Sequence, residues 1–189
     1  MKRVRFGLLL LSLLLTGCAD VAMTGAQAIY NRHSIQKTWH DQYITMQIHK
    51  ALKIDNNQFN DANVVIATYH GQVLLAGQVP HPWQKKEAEQ LAKQIEGVNQ
   101  VYNAMQIAGP SSTLTRISDA WVTAKVKAKL IASDEVDASQ IKVVTENGMV
   151  FLMGTIQADE ADAAAELARS IDGVESVVKA FSYIKISER

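Results

Sequence analysis

Gly71-Gln72-Val73-Leu74-Leu75-Ala76-Gly77 returns later in the chain as Gly148-Met149-Val150-Phe151-Leu152-Met153-Gly154, and this G-x-V-x-L-x-G stretch decides the fold. Its surroundings repeat in step. Upstream, Ile44, Ile48 and Leu52 match Val122, Val126 and Leu130; downstream, Leu91, Ile95, Gly97 and Val98 match Leu167, Ile171, Gly173 and Val174. The spacing between matched residues drifts only by single positions, so one module is written twice.

Each copy reads as α-β-β-α-β. The upstream residues recur at i, i+4 and i+8, one apolar stripe of an amphipathic helix. A first strand follows over residues 63–69 or 140–146, with Val64 and Ile66, or Ile141 and Val143, on one face. Asn147-Gly148 suits a type I′ hairpin, because both turn positions need positive φ. The second strand alternates Val73/Leu75 or Val150/Leu152. A second helix carries Ala88/Leu91/Ala92/Ile95, matched by Ala164/Leu167/Ala168/Ile171. Pro82 suits its first turn, and Gly97 and Gly173 are expected at the C′ position that stops it. The last strands are expected over residues 101–107 and 177–184. A helix between the second and third strands implies a crossover, hence a mixed three-stranded sheet with both helices on one face. The fold class is therefore α+β, with modules over residues 39–108 and 115–186 joined by a linker at 109–114.

The N-terminus reads as an export signal. Lys2, Arg3 and Arg5 precede an apolar run from Phe6 to Leu15, too short for a bilayer core that takes roughly twenty residues. It ends in Leu15-Thr16-Gly17-Cys18, which resembles the lipobox of bacterial lipoprotein precursors. Residues 1–17 are then the signal, Cys18 the lipidated residue, and 18–38 an acylated N-terminus and tether. Cys18 is the sole cysteine, so no internal disulfide can support the modules. Ala19, where an Asp would retain such a lipoprotein at the inner membrane, implies the outer membrane. Without the three basic signal residues the chain carries sixteen basic against nineteen acidic groups, near −3. That balance excludes a general nucleic-acid binder, whose affinity rests on basic groups neutralising phosphates.

The twofold α-β-β-α-β pattern with its glycine-bounded hairpin resembles the BON domain family, most closely at Thr145-Glu146-Asn147-Gly148-Met149-Val150-Phe151-Leu152-Met153-Gly154. With a lipobox, it is similar to the dual-BON outer-membrane lipoproteins. The resemblance implies a periplasm-facing, lipid-anchored protein that binds anionic phospholipid, mainly through the first helix of the second module, and supports envelope integrity.

The residues of that helix bear on the implication directly. With Val122, Val126 and Leu130 turned to the core, Ile117, Trp121, Ala124, Ala128 and Ile131 form a second apolar face, where a solvated helix would be polar. Lys125 and Lys129 flank it on one side and Lys127 on the other. A Trp at a membrane boundary and snorkelling lysines are the parts of an interfacial helix. The same face would equally suit the other module or an envelope protein partner, since Trp also anchors protein interfaces. In copy one the equivalent face holds Trp39, Tyr43, Met46, Lys50 and Lys53, and is expected to be buried against the second module.

No catalytic, metal or cofactor site is expected. His33, His40, His49, His70 and His81 show no metal-ligand spacing, and no G-x-S-x-G or Walker-type loop occurs. Asp159, Glu160 and Asp162 fall in the first turn of a helix, where carboxylates favour the macrodipole.

Overall fold

The computed structural model describes residues 39–55 and 57–184; the signal, Cys18 and the tether lie outside them. Two modules of the expected order are present. In the first, helix α1 (39–49) runs on into a wider π-helical turn, Lys50–Ile54, closed by Asp55 N–H donating to the Lys50 carbonyl. Ile44, Ile48 and Leu52 are fully buried along it. Strands β1 (Asn63–Tyr69) and β2 (Gln72–Val79) form an antiparallel hairpin. Helix α2 (Pro82–Lys93) crosses back so that β3 (Gln100–Asn103) and β4 (Gln106–Ile107) pair parallel with β2. In the second module, α3 (Thr113–Ile131), β5 (Ile141–Glu146), β6 (Met149–Ile156), α4 (Ala158–Arg169) and β7 (Ser176–Tyr183) repeat the plan.

The third strand separates the copies. β7 pairs along its whole length, whereas the first module interrupts the same strand at Ala104–Met105 without changing register. The interruption has a local cause. Asn103 Nδ2 donates to the Lys85 carbonyl and to Glu89, and Met105 turns into the core. The first-module sheet is thus β1-β2-β3 with β4 as a detached continuation.

Both hairpins are tight type I′ turns, with φ of 48° and 80° at His70-Gly71 and 51° and 73° at Asn147-Gly148. A histidine tolerates positive φ less readily than Asn or Gly, and a carboxylate supports it. Asp41 on α1 accepts the His70 and Gly71 N–H groups at 2.8 and 3.0 Å. Asp119 on α3 does the same for Asn147 and Gly148, at 2.8 and 2.9 Å. The first helix of each module therefore clamps its own hairpin.

Val73, Leu75 and Val79 face α1 and α2, while Val150, Leu152 and Ile156 face α3 and α4. α4 lies close to its sheet because its inner face is Ala161, Ala164, Ala165 and Ala168. Gly97 and Gly173 come one short turn later than the C′ position expected for them. The helices stop at Lys93 and Arg169, and Val98 and Val174 N–H then close turns onto Ile95 and Ile171. Positive φ, 87° and 98°, requires glycine at these sites, and close approach adds to it: a Cβ on Gly97 would lie 2.3 Å from His40 Nε2, and one on Gly173 3.0 Å from Val122.

The modules join through the sheet faces that their own helices leave bare. Leu74, Ala76 and Ala67 meet Phe151, Met153 and Ala180, all buried, with Val65, Tyr69, Tyr102, Ala104, Val144 and Met149 around them. Burying each of the larger side chains stabilises the pair by at most about 1.5–3 kcal/mol. This corrects the expectation for the first-module helix. Its outer face is not covered by the second module: Trp39 is 73% and Met46 60% exposed, and Tyr43 and Ile54 are exposed too. Lys53, assigned to that face, bends away and donates to the Phe59 and Ala62 carbonyls. Burial there holds its pKa below the ordinary lysine value, with Asp61 pulling the other way. The sheet faces satisfy the second module instead.

Polar contacts border the join. Tyr69 OH donates to Gln140 Oε1, Gln72 Nε2 reaches Ser182, and Lys142 Nζ donates to the Thr68 carbonyl at 2.8 Å. Desolvation lowers the Lys142 pKa, Lys127 adds to that, and Asp41 opposes it.

Candidate functional site

Helix α3 starts earlier than the expected linker boundary. Ser112 is its N-cap, with the hydroxyl accepting the Thr115 N–H at 3.1 Å, so Thr113 and Leu114 are helical. The cap adds about 1 kcal/mol to a helix start. Inward, Val122, Val126 and Leu130 are buried as expected.

Outward, the expected face is open to solvent. Ile117, Trp121, Ala124, Lys125, Lys127, Ala128, Lys129 and Ile131 are all exposed, Trp121 at 68% and Ile131 at 74%. Leu114, missing from the expected set, extends the face by one turn and is 79% exposed. Leu114, Ile117, Trp121, Ala124, Ala128 and Ile131 alternate steps of three and four, which puts them on one straight line of a helix. The spacing from Leu114 to Ile117 was legible; placing Leu114 in the linker hid it.

Cations border this ridge. Lys125 and Lys129 lie on one side, and Lys127 with Arg116 on the other. Lys125 Nζ donates to the Asp172 carbonyl, which draws its stem along the helix flank. Asp119 is the sole carboxylate of the helix, and it is turned inward with both oxygens engaged by the hairpin. The outer surface of α3 is thus apolar along its crest, positive on both shoulders and free of negative charge.

The acidic cluster has structural partners. Asp159 and Glu160 occupy the first turn of α4, Glu160 accepts the Asp137 N–H, and Asp162 pairs with Lys179. His81 caps α2, and Gln84 Oε1 accepts its N–H. Among the described residues no helix is long and apolar enough to cross a membrane.

Two α-β-β-α-β modules, each pinned by an Asp-held hairpin, define the class: residues 40–109 and 118–185 match the BON domain, and the chain belongs to that family. Within it, the chain is 39% identical over 145 residues to the outer membrane lipoprotein DolP of Haemophilus influenzae, across 76% of this chain and 75% of that one. It is 38% identical over 146 residues to a 21 kDa hemolysin of Actinobacillus pleuropneumoniae, across 77% and 75%. It is 34% identical over 140 residues to osmotically-inducible protein Y of Escherichia coli K12, across 72% and 69%. The family resemblance drawn from the hairpin is therefore shown.

Proposed function

We propose that this chain is a non-enzymatic outer-membrane lipoprotein, acylated at Cys18 and facing the periplasm, whose helix α3 binds anionic phospholipid in support of the cell envelope. The observation that carries the reading is the uncovered ridge from Leu114 to Ile131 between shoulders of cations. Water disfavours so long an apolar line, and a bilayer interface accommodates both parts. The crest enters the acyl boundary, and Arg116, Lys125, Lys127 and Lys129 reach headgroups. A basic residue near an anionic surface contributes about 1 kcal/mol, so shoulders and crest together give useful affinity to an already tethered molecule. The similarity to an outer membrane lipoprotein supports the location, and the lipobox-like run at Cys18 supports the anchor.

The test uses the mature chain with Cys18→Ala, which removes acyl anchoring. It should co-sediment with phosphatidylglycerol-containing vesicles and far less with phosphatidylcholine alone. Trp121→Glu should abolish binding with an unchanged melting temperature, because the side chain touches no core. Equal binding by parent and Trp121→Glu would refute the assignment to α3. A partner protein lost with Trp121→Glu, without any vesicle binding, would favour docking of an envelope protein on the same ridge.

A further inference from the structure

The start of α3 is tied to the first module. Ser111, the residue before the N-cap, donates its N–H to Gln78 Oε1 at 2.9 Å, and its hydroxyl lies 3.4 Å from Glu146 Oε1. Gln78 sits at the end of β2 in the other module, and its Nε2 donates to the same Glu146 oxygen at 2.9 Å. Asn63, paired across the hairpin with Gln78, points its amide at Glu146, Ser111 and Gln78, 2.9, 3.2 and 3.0 Å away. Gln78 and Glu146 are 3% and 7% exposed.

Glu146 also leads directly to the second grip on the helix. The next two residues, Asn147 and Gly148, are those whose N–H groups Asp119 holds. α3 is therefore held near both ends of its first half, at Ser111 and at Asp119, through residues 146–148. The stretch between these grips carries Leu114, Arg116 and Ile117. Terminal turns of an exposed helix open most readily, and a buried carboxylate whose donors are removed incurs a large desolvation penalty. The cluster acts as a unit, since each donor serves a neighbour that also binds Glu146.

We infer that the first module is a positioning device for the membrane helix: Gln78 and Asn63, acting through Glu146 and Ser111, hold the first two turns of α3 so that Leu114 and Ile117 lie in line with Trp121. These are positioning residues and touch no lipid. The inference rests on the bilayer reading of α3.

The test again uses the mature chain with Cys18→Ala, equimolar phosphatidylglycerol and phosphatidylcholine vesicles, and amide hydrogen exchange without lipid. Gln78→Leu should weaken vesicle binding about five-fold, within the range of coupled networks. It should speed exchange at residues 115–118 and leave residues 126–130 at parental rates. Ser111→Ala, which removes the hydroxyl's contacts with Glu146 and Asn63 but keeps the N–H bond to Gln78, should weaken binding about two-fold and covers the case in which Gln78→Leu does not hold the fold. Tyr69→Phe breaks a contact at the opposite end of the same join and should bind like the parent. Parental binding by a folded Gln78→Leu, or by Ser111→Ala where Gln78→Leu is unfolded, overturns the inference. So does an equal loss in Tyr69→Phe, which would make the effect one of general stability. If Trp121→Glu binds vesicles like the parent, the bilayer reading itself fails, a result separable from all of these.

Discussion

Helices α1 and α3 occupy the same place in two copies of one module, bury the same stripe and clamp the same turn, yet their outer faces differ. Inward, Ile44, Ile48, Leu52 and Asp41 answer Val122, Val126, Leu130 and Asp119 one for one. Outward, α1 and the π-helical turn that continues it show Trp39, Tyr43, Met46 and Ile54, with their charge reduced as Lys53 turns to loop carbonyls. The outer face of α3 carries an unbroken crest and four exposed cations. Packing holds the inner half of each helix alike, because a changed volume or a lost carboxylate destabilises the module. The outer half is free to diverge, and that is where one copy becomes specialised.

The strongest way to break this comparison is to attack the framework that the two copies share and find one of them tolerant. A Cβ on Gly77 would lie 2.0 Å from the Asn63 carbonyl oxygen, and one on Gly154 2.4 Å from that of Gln140. Alanine at either site should cost about 3 kcal/mol or more, read as a fall in the urea midpoint. Gly77 should suffer more, because its φ of 102° adds backbone strain. Next, Asp41→Ala and Asp119→Ala each leave two hairpin N–H groups without their carboxylate and should destabilise by about 1–3 kcal/mol. Comparable losses would support one clamp used twice, and a neutral Asp41→Ala would disprove it.

The outer halves call for an unequal result. Trp121→Glu should reduce affinity for anionic vesicles at least about ten-fold, whereas Trp39→Glu should leave it within about two-fold; similar losses would dissolve the division of labour. Raising salt from about 0.05 to 0.5 M should weaken parental binding roughly five-fold, as exposed charges are screened. A salt-independent affinity would assign the binding to the crest alone.

Much of the fold was legible because it is repeated. The hairpin motif, the helical stripes and the crossover each appear twice, and the Asn147-Gly148 turn has the φ values its residues predict. The join between modules was missed. Alternation drew attention to Val73 and Leu75, but Leu74, Ala76, Phe151 and Met153 between them are also apolar. A strand apolar at every position is buried on both faces, and reading it so would have turned the second module toward the sheet rather than toward Trp39. Of the candidate site, the ridge was legible from helical spacing except for Leu114, lost to a boundary drawn two residues late. The Asp clamps and the Glu146 cluster were not legible. Each joins residues far apart in sequence, and nothing in local spacing announces which carboxylate meets which N–H.

The doubly apolar β2 also bears on how the molecule is made. Synthesis runs from the N-terminus, so the first module can close its own core while Phe151 and Met153 have yet to emerge. During that interval Leu74, Ala76 and Tyr102 form a bare sheet face, the kind of surface through which nascent chains aggregate. A strand partnered on both sides in the mature protein is thus a liability in transit. A chain halted after the first module should be far less soluble than the whole.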